Sequence, residues 1–75
     1  MPFIHIYAHS GRDREVKMKA ASAIVKVASE ILESSENNFT VVFEDVDRED
    51  WETAVQQPIV EPLRDKMLID HGKLL

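Results

Sequence analysis

The chain has no cysteine among its 75 residues, which excludes disulfides and thiolate metal sites. It also lacks an excess of basic residues. Fourteen acids against nine bases give a net charge of −5, which argues against a nucleic-acid or anionic-membrane surface. A chain this short buries only ~60% of the surface that its unfolded form exposes. With no disulfide available, we expect self-association to stabilise it.

Long apolar segments are missing as well. The N-terminus has no basic region followed by an apolar stretch, as a secretory signal would. No apolar run approaches the ~20 residues that span a membrane. We therefore expect a soluble cytoplasmic protein with a single domain over residues 1–75.

Three segments show clear periodicity. Residues 2–8 are rich in β-branched and aromatic side chains and predict a strand, with Phe3, His5 and Tyr7 on one face. From about Arg14 to Ser34, polar residues recur every three or four positions, which predicts an amphipathic helix capped by Asp13. Residues 39–46 predict a second strand. The apolar side of the helix contains Val16, Ala20, Ala23, Ile24, Val27 and Ile31.

The order strand, long helix, strand predicts an α/β (α+β) fold built on a βαβ unit with parallel strands. A last helical segment is expected from Trp51 to about Ile69, capped by Asp50 and split or kinked at Pro58 and Pro62. Two strands alone do not make a stable sheet. We therefore expect the sheet to be completed across a dimer.

Pro2 is the first residue that points to chemistry. Once Met1 is removed, Pro2 becomes a secondary amine at the chain terminus. An ordinary terminal amine titrates near pH ~8, and apolar surroundings disfavour its cation and lower its pKa. A base poised near neutral pH suits general acid–base catalysis. By itself, proline in second position also serves simply to permit methionine removal.

Two further residues suit a site for a small acid. Arg12, after Gly11, presents a planar fork that matches a carboxylate. A solvated loop arginine paired with Asp13 or Glu15 is the simpler interpretation. Trp51, the only tryptophan, either lines an apolar pocket or anchors the last helix. The three histidines, His5, His9 and His71, are spread along the chain and suggest surface or interface roles rather than a metal site.

Taken together, these features resemble the 4-oxalocrotonate tautomerase family. The start MPFIHIYAHSGRDREVK has proline directly after Met1, a short strand, a Gly-Arg pair about ten residues on, and then a helix. The resemblance covers essentially the whole chain, and the C-terminal region is most similar to the longer-tailed, dimeric PptA-type tautomerases. It implies a cofactor-free keto–enol tautomerase, an isomerase that needs no metal and acts on a 2-keto or enol acid.

The resemblance also implies a role for each site residue. Pro2 would move the proton between oxygen and carbon of the enol. Arg12 would bind the substrate carboxylate or polarise its 2-keto oxygen. Trp51 would line the pocket. Apart from the resemblance, the monoacid hypothesis that follows from Thr40 places an aromatic substrate tail against Trp51 and Phe3.

One position departs from the family pattern. Well-known members carry a second arginine on the second strand, where this chain has Thr40. A lone arginine favours a monoacid such as the enol of phenylpyruvate over the diacid 2-hydroxymuconate. Arg48 is an alternative source of the missing cation.

Three alternatives remain open. The same scaffold supports 3-haloacrylate dehalogenation or hydration, with Glu44 as the only strand acid available to activate water. A non-catalytic, small-molecule-binding dimer is the second alternative. A hexamer built as a trimer of dimers is the alternative assembly.

Overall fold

The computed structural model describes residues 1–75 and divides them into two compact units, Met1–Asp45 and Val46–Leu75. The first unit contains strand β1 (Phe3–His9), helix α1 (Arg14–Leu32) and strand β2 (Thr40–Val46) as far as Asp45. β1 and β2 form a two-stranded parallel sheet. The predicted βαβ unit is therefore confirmed, and its strands begin one residue later than expected.

The side chains of β1 alternate between the two faces of the sheet, as the sequence predicts. On one face the Phe3 and His5 rings meet edge to face, with centroids 6.0 Å apart. The rings of His5 and Tyr7 stack at 4.2 Å with an angle of 13° between their planes. Glu44 of β2 reaches the same face, since its Oε1 lies 2.9 Å from Nε2 of His5. We call this the open face, because α1 packs against the other one.

Local capping sets both ends of α1. The Asp13 carboxylate accepts a hydrogen bond from the backbone N–H of Val16 at 3.0 Å, so the predicted N-cap is confirmed. The helix ends at Leu32, two residues earlier than expected. Glu33 adopts a left-handed conformation with φ 54°, and its N–H bonds to the carbonyl of Ser29. A left-handed residue in this position is a common way to end a helix.

The side of α1 that packs on the sheet is not the most apolar one. Lys17 and Ala21 lie with Val41 and Phe43 of β2 around a hollow between helix and strand. The predicted apolar side, which we call the α1 stripe, does not face the sheet and is largely exposed. Val27 is 54% accessible and Ile31 is 75% accessible. The apolar side inferred from the sequence is therefore not buried in the core of a single chain. Val55 is the one apolar side chain that is fully buried.

The second unit contains the whole C-terminal helical segment, which is irregular. It begins with a 3-10 turn at Arg48–Asp50, and no side chain caps the stretch that follows, so the expected Asp50 cap is wrong. Glu52–Val60 forms wide π-helical turns around Pro58, which has no N–H to donate. At Glu61–Lys66 the segment tightens into a 3-10 helix with Pro62 in its first turn. The predicted split is therefore found just before Pro62, between Val60 and Glu61, whereas Pro58 lies inside the π-helical stretch.

The segment stops at Lys66 rather than near Ile69, because a hairpin follows. Strand β3 (Ile69–Asp70) pairs antiparallel with β4 (Lys73–Leu74), in the register Ile69 to Leu74 and Asp70 to Lys73. The two-residue loop between them has positive φ at both positions, 48° at His71 and 83° at Gly72. That geometry is typical of the tightest hairpin turns. No helix in the structure is long and apolar enough to cross a bilayer.

Candidate active site

Pro2 lies immediately before β1 and is tied to the start of β2. Its carbonyl accepts a hydrogen bond from the backbone N–H of Thr40 at 3.1 Å. The Pro2 residue is half-buried, whereas Met1 before it is 95% exposed. Met1 is therefore accessible for removal. Its loss would leave the Pro2 amine at a fixed point on the sheet rather than at the end of a loose tail.

Phe3 and Thr40 lie beside Pro2, and their roles as substrate contacts stay predictions. Phe3 follows Pro2 directly and is 62% exposed, so one side of its ring is available for contact. Thr40 is also exposed. By alternation along β2 from Glu44, the Thr40 side chain shares the open face with Phe3. The structure thus brings together three of the five predicted site residues.

Arg12 lies at the opposite end of β1. Its Nη1 donates to the carbonyl of His9, the last residue of the strand, at 3.0 Å. An extended strand rises about 3.3 Å per residue, so the guanidinium group lies roughly 20 Å from Pro2 of the same chain. No side-chain rotation spans that distance. Within one chain, Pro2 and Arg12 do not form a common site.

Trp51 and Arg48 belong to the second unit. Arg48 opens the 3-10 turn, and the backbone N–H of Trp51 bonds to its carbonyl. Trp51 is half-buried at the head of the helical segment. Its role as a pocket wall, and that of Arg48 as a replacement cation, stay predictions.

A histidine–carboxylate pair, His5–Glu44, also lies on the open face. The carboxylate of Glu44, the predicted water-activating group of the alternative reaction, is engaged with His5 Nε2 at 2.9 Å. The pair arises because His5 on β1 and Glu44 on β2 share the open face. The sequence suggests separate roles for His5 and Glu44. The alternation of side chains along each strand was the available signal, because it assigns each residue to one face of its strand.

The second unit holds a charged pair with shifted pKa values, Glu61 and Arg64. The pKa of Glu61 is lowered from its ordinary value of 4.5, mainly by a hydrogen bond from Arg64 and also by one from Gln56. The same contact raises the pKa of Arg64. Both groups are exposed residues of the second unit. No group of three or more His, Asp or Glu side chains is placed to hold a metal ion.

Comparison with known families gives one match, which covers most of the chain. The family model described as "Tautomerase enzyme" matches residues 2–57, a range that begins at Pro2 and includes β1, α1, β2 and Trp51. The chain belongs to the tautomerase family. No curated protein matches its sequence. Membership places the chain in a superfamily of isomerases and related enzymes, and it confirms the resemblance to the 4-oxalocrotonate tautomerase family. The similarity to the PptA-type tautomerases stays a prediction.

Proposed function

We propose that this tautomerase is a cofactor-independent keto–enol isomerase in which the Pro2 amine is the general base and acid. The observation that carries the proposal is the attachment of Pro2 to the sheet through Thr40, at the first residue of the family match. After removal of Met1, the neutral nitrogen accepts the enol hydroxyl proton. The oxygen electron pair then forms the carbonyl, and the proton is returned to carbon. Such proton transfer by a positioned group contributes about 10²–10⁴-fold in rate.

Arg12 serves this site from a second chain. Its guanidinium group binds the substrate carboxylate, or steadies the negative charge that develops on the oxygen. The roughly 20 Å between it and Pro2 along β1 excludes that role within one chain. A dimer in which β1 of one chain brings Arg12 toward Pro2 of the other removes the conflict. The proposed active site is therefore shared between two copies.

The surface of α1 supports a homodimer. Four large members of the α1 stripe are exposed, namely Val16, Ile24, Val27 and Ile31. Such a contiguous apolar patch is typical of an interface. Its residues lie about 120° around the helix from the sheet-facing positions. A second helix packed on the stripe would thus lie beside α1, on the same side of an extended four-stranded sheet.

The substrate is an enol or 2-keto monoacid with an aromatic tail. Thr40 occupies the position beside Pro2 where related enzymes carry a cation, so a second carboxylate has no partner there. Phe3, exposed next to Pro2, offers an aromatic surface for the tail. These two residues favour the enol of phenylpyruvate over 2-hydroxymuconate.

The direct test is ketonisation of phenylpyruvate enol, followed by ultraviolet absorbance. The protein is first shown by intact mass to lack Met1, and is compared with its Pro2→Ala variant, which also loses Met1. We expect the variant to lose about 10²-fold or more in kcat/KM. Equal rates for the two proteins would remove Pro2 from the mechanism. A preparation that retains Met1 is the matched control, and we expect it to be inactive because its Pro2 nitrogen is an amide.

A further inference from the structure

A hollow opens between α1 and β2, on the face of the sheet opposite to the open face. It is lined by Arg14, Lys17, Met18 and Ala21 of α1 and by Val41 and Phe43 of β2. Its volume is about 270 Å³. Pockets for drug-sized ligands occupy ~300–1,000 Å³, so this one suits a smaller molecule. Ala21, the smallest of the lining side chains, leaves space above the strand.

The hollow has an apolar floor and two cationic side chains, Lys17 and Arg14, of which only Lys17 is paired with an acid. Lys17 is already engaged, since its Nζ lies 2.5 Å from a carboxylate oxygen of Asp45 and 5.7 Å from the centre of the Phe43 ring. Arg14 has neither an ion pair nor a side-chain hydrogen bond. The acids that precede and follow it are engaged elsewhere: Asp13 caps the helix, and Glu15 lies 3.7 Å from Lys19.

We propose that this hollow binds a small monocarboxylate with a flat apolar body, at a site separate from the Pro2 active site. The carboxylate pairs with the free guanidinium fork of Arg14, which presents parallel N–H donors. The apolar body lies on Val41 and Phe43. Lys17 is held in place by Asp45, which compensates its charge, and its alkyl chain forms part of the wall. One uncompensated cation above an apolar floor selects a single negative charge rather than a diacid.

The site is compatible with the proposed dimer. The residues of α1 that line the hollow lie about 120° around the helix from the α1 stripe. A partner helix on the stripe therefore leaves the hollow accessible. Because the lining excludes Pro2, Phe3 and Thr40, binding here does not depend on the proposed tautomerase activity.

Titration of the assembled protein with phenylacetate, followed by amide NMR shifts, tests the proposal. We expect saturable shifts at Lys17, Ala21 and Phe43, and much weaker effects from uncharged benzyl alcohol. Arg14→Gln is expected to weaken binding at these amides at least about tenfold, because it removes a charge-assisted contact. Lys26→Gln, which removes one positive charge from the polar side of the same helix, is the matched control and should bind normally.

A second variant tests the cavity without changing charge. Ala21→Leu fills the hollow, and we expect it to abolish the shifts while the rest of the amide spectrum stays folded. Three results would overturn the proposal: no saturable shift at the hollow, shifts confined to Phe3 and Thr40, or unchanged binding in Arg14→Gln. The proposal would also be rejected if the unmodified protein did not bind phenylacetate and Arg14→Gln changed the oligomeric mass. That result would show that a second copy occupies the hollow instead.

Discussion

The backbone N–H of Thr40 donates to the carbonyl of Pro2 at 3.1 Å, which joins the start of β2 to the start of β1. The contact uses only backbone atoms, so it tolerates any side chain at position 40 except proline. It also makes position 40 the nearest place on β2 from which a side chain can act on a substrate at Pro2. Substitution there can therefore change specificity without disturbing the anchor of the proposed catalytic residue.

Thr40→Arg should move substrate preference toward diacids. The new guanidinium group would lie beside Pro2 on the open face and offer a fork to a second carboxylate. We expect the ratio of kcat/KM for 2-hydroxymuconate to that for phenylpyruvate enol to rise about tenfold or more. Thr53→Arg, an exposed position in the second unit, is the matched control and should leave the ratio unchanged. A wild-type enzyme already faster on 2-hydroxymuconate would contradict the assignment to monoacids.

Complementation between two inactive variants should reveal a shared site. Pro2→Ala and Arg12→Gln each remove one half of every site, and we expect each homodimer to lose on the order of 10²-fold in kcat/KM. A mixed dimer contains one site with both residues intact and one with neither. Purified through two different C-terminal tags, it should recover roughly half of the wild-type activity per dimer. If Pro2 and Arg12 of the same chain acted together, the mixed dimer would stay inactive.

A charge on the α1 stripe should separate the dimer. Val27 is 54% exposed in the single chain, and Val27→Glu would bury a carboxylate in the proposed helix–helix contact. We expect sedimentation to show a monomer, with ketonisation activity lost in parallel because Arg12 no longer reaches its partner site. Lys26→Glu on the polar side of α1 introduces the same charge and should remain dimeric. A dimeric Val27→Glu protein would place the interface elsewhere.

The Glu61–Arg64 pair should make the second unit sensitive to acid. Because Arg64 and Gln56 lower the pKa of Glu61 in the folded state, the unfolded chain binds its proton more readily. The resulting stability is fully present above the unfolded pKa, near 4.5, and is lost as pH falls through the lowered folded value. We expect Arg64→Gln to flatten the acid side of the stability profile measured by Trp51 fluorescence. Lys66→Gln removes a neighbouring charge that does not belong to the pair. Its stability should fall with decreasing pH at the same slope as that of the wild type.

Local patterns predicted the elements of this fold well, because each depends on residues close in sequence. The Asp13 cap acts within one turn of α1, and Pro58 and Pro62 alter the hydrogen bonds of their own segment. The sequence does not predict the hairpin at Ile69–Leu74. Its strands have only two residues each, which is too short to show the two-residue alternation of apolar and polar side chains. Its signal lay in the His71-Gly72 pair, since glycine readily adopts the positive φ of a tight turn.

Side-chain periodicity and the spacing of Pro2 and Gly11-Arg12 are enough to predict the βαβ order, the α1 stripe and the family. The rotation of α1 on the sheet, in contrast, is visible only in the folded chain. Apolar residues extend around much of the helix, so its composition allowed more than one packing face, and contact with Val41 and Phe43 selected the side of Lys17 and Ala21. That rotation left the stripe exposed and opened the hollow beside Arg14. Tertiary structure also attached Arg12 to His9, at the far end of β1 from Pro2, which makes a second chain necessary for the proposed chemistry.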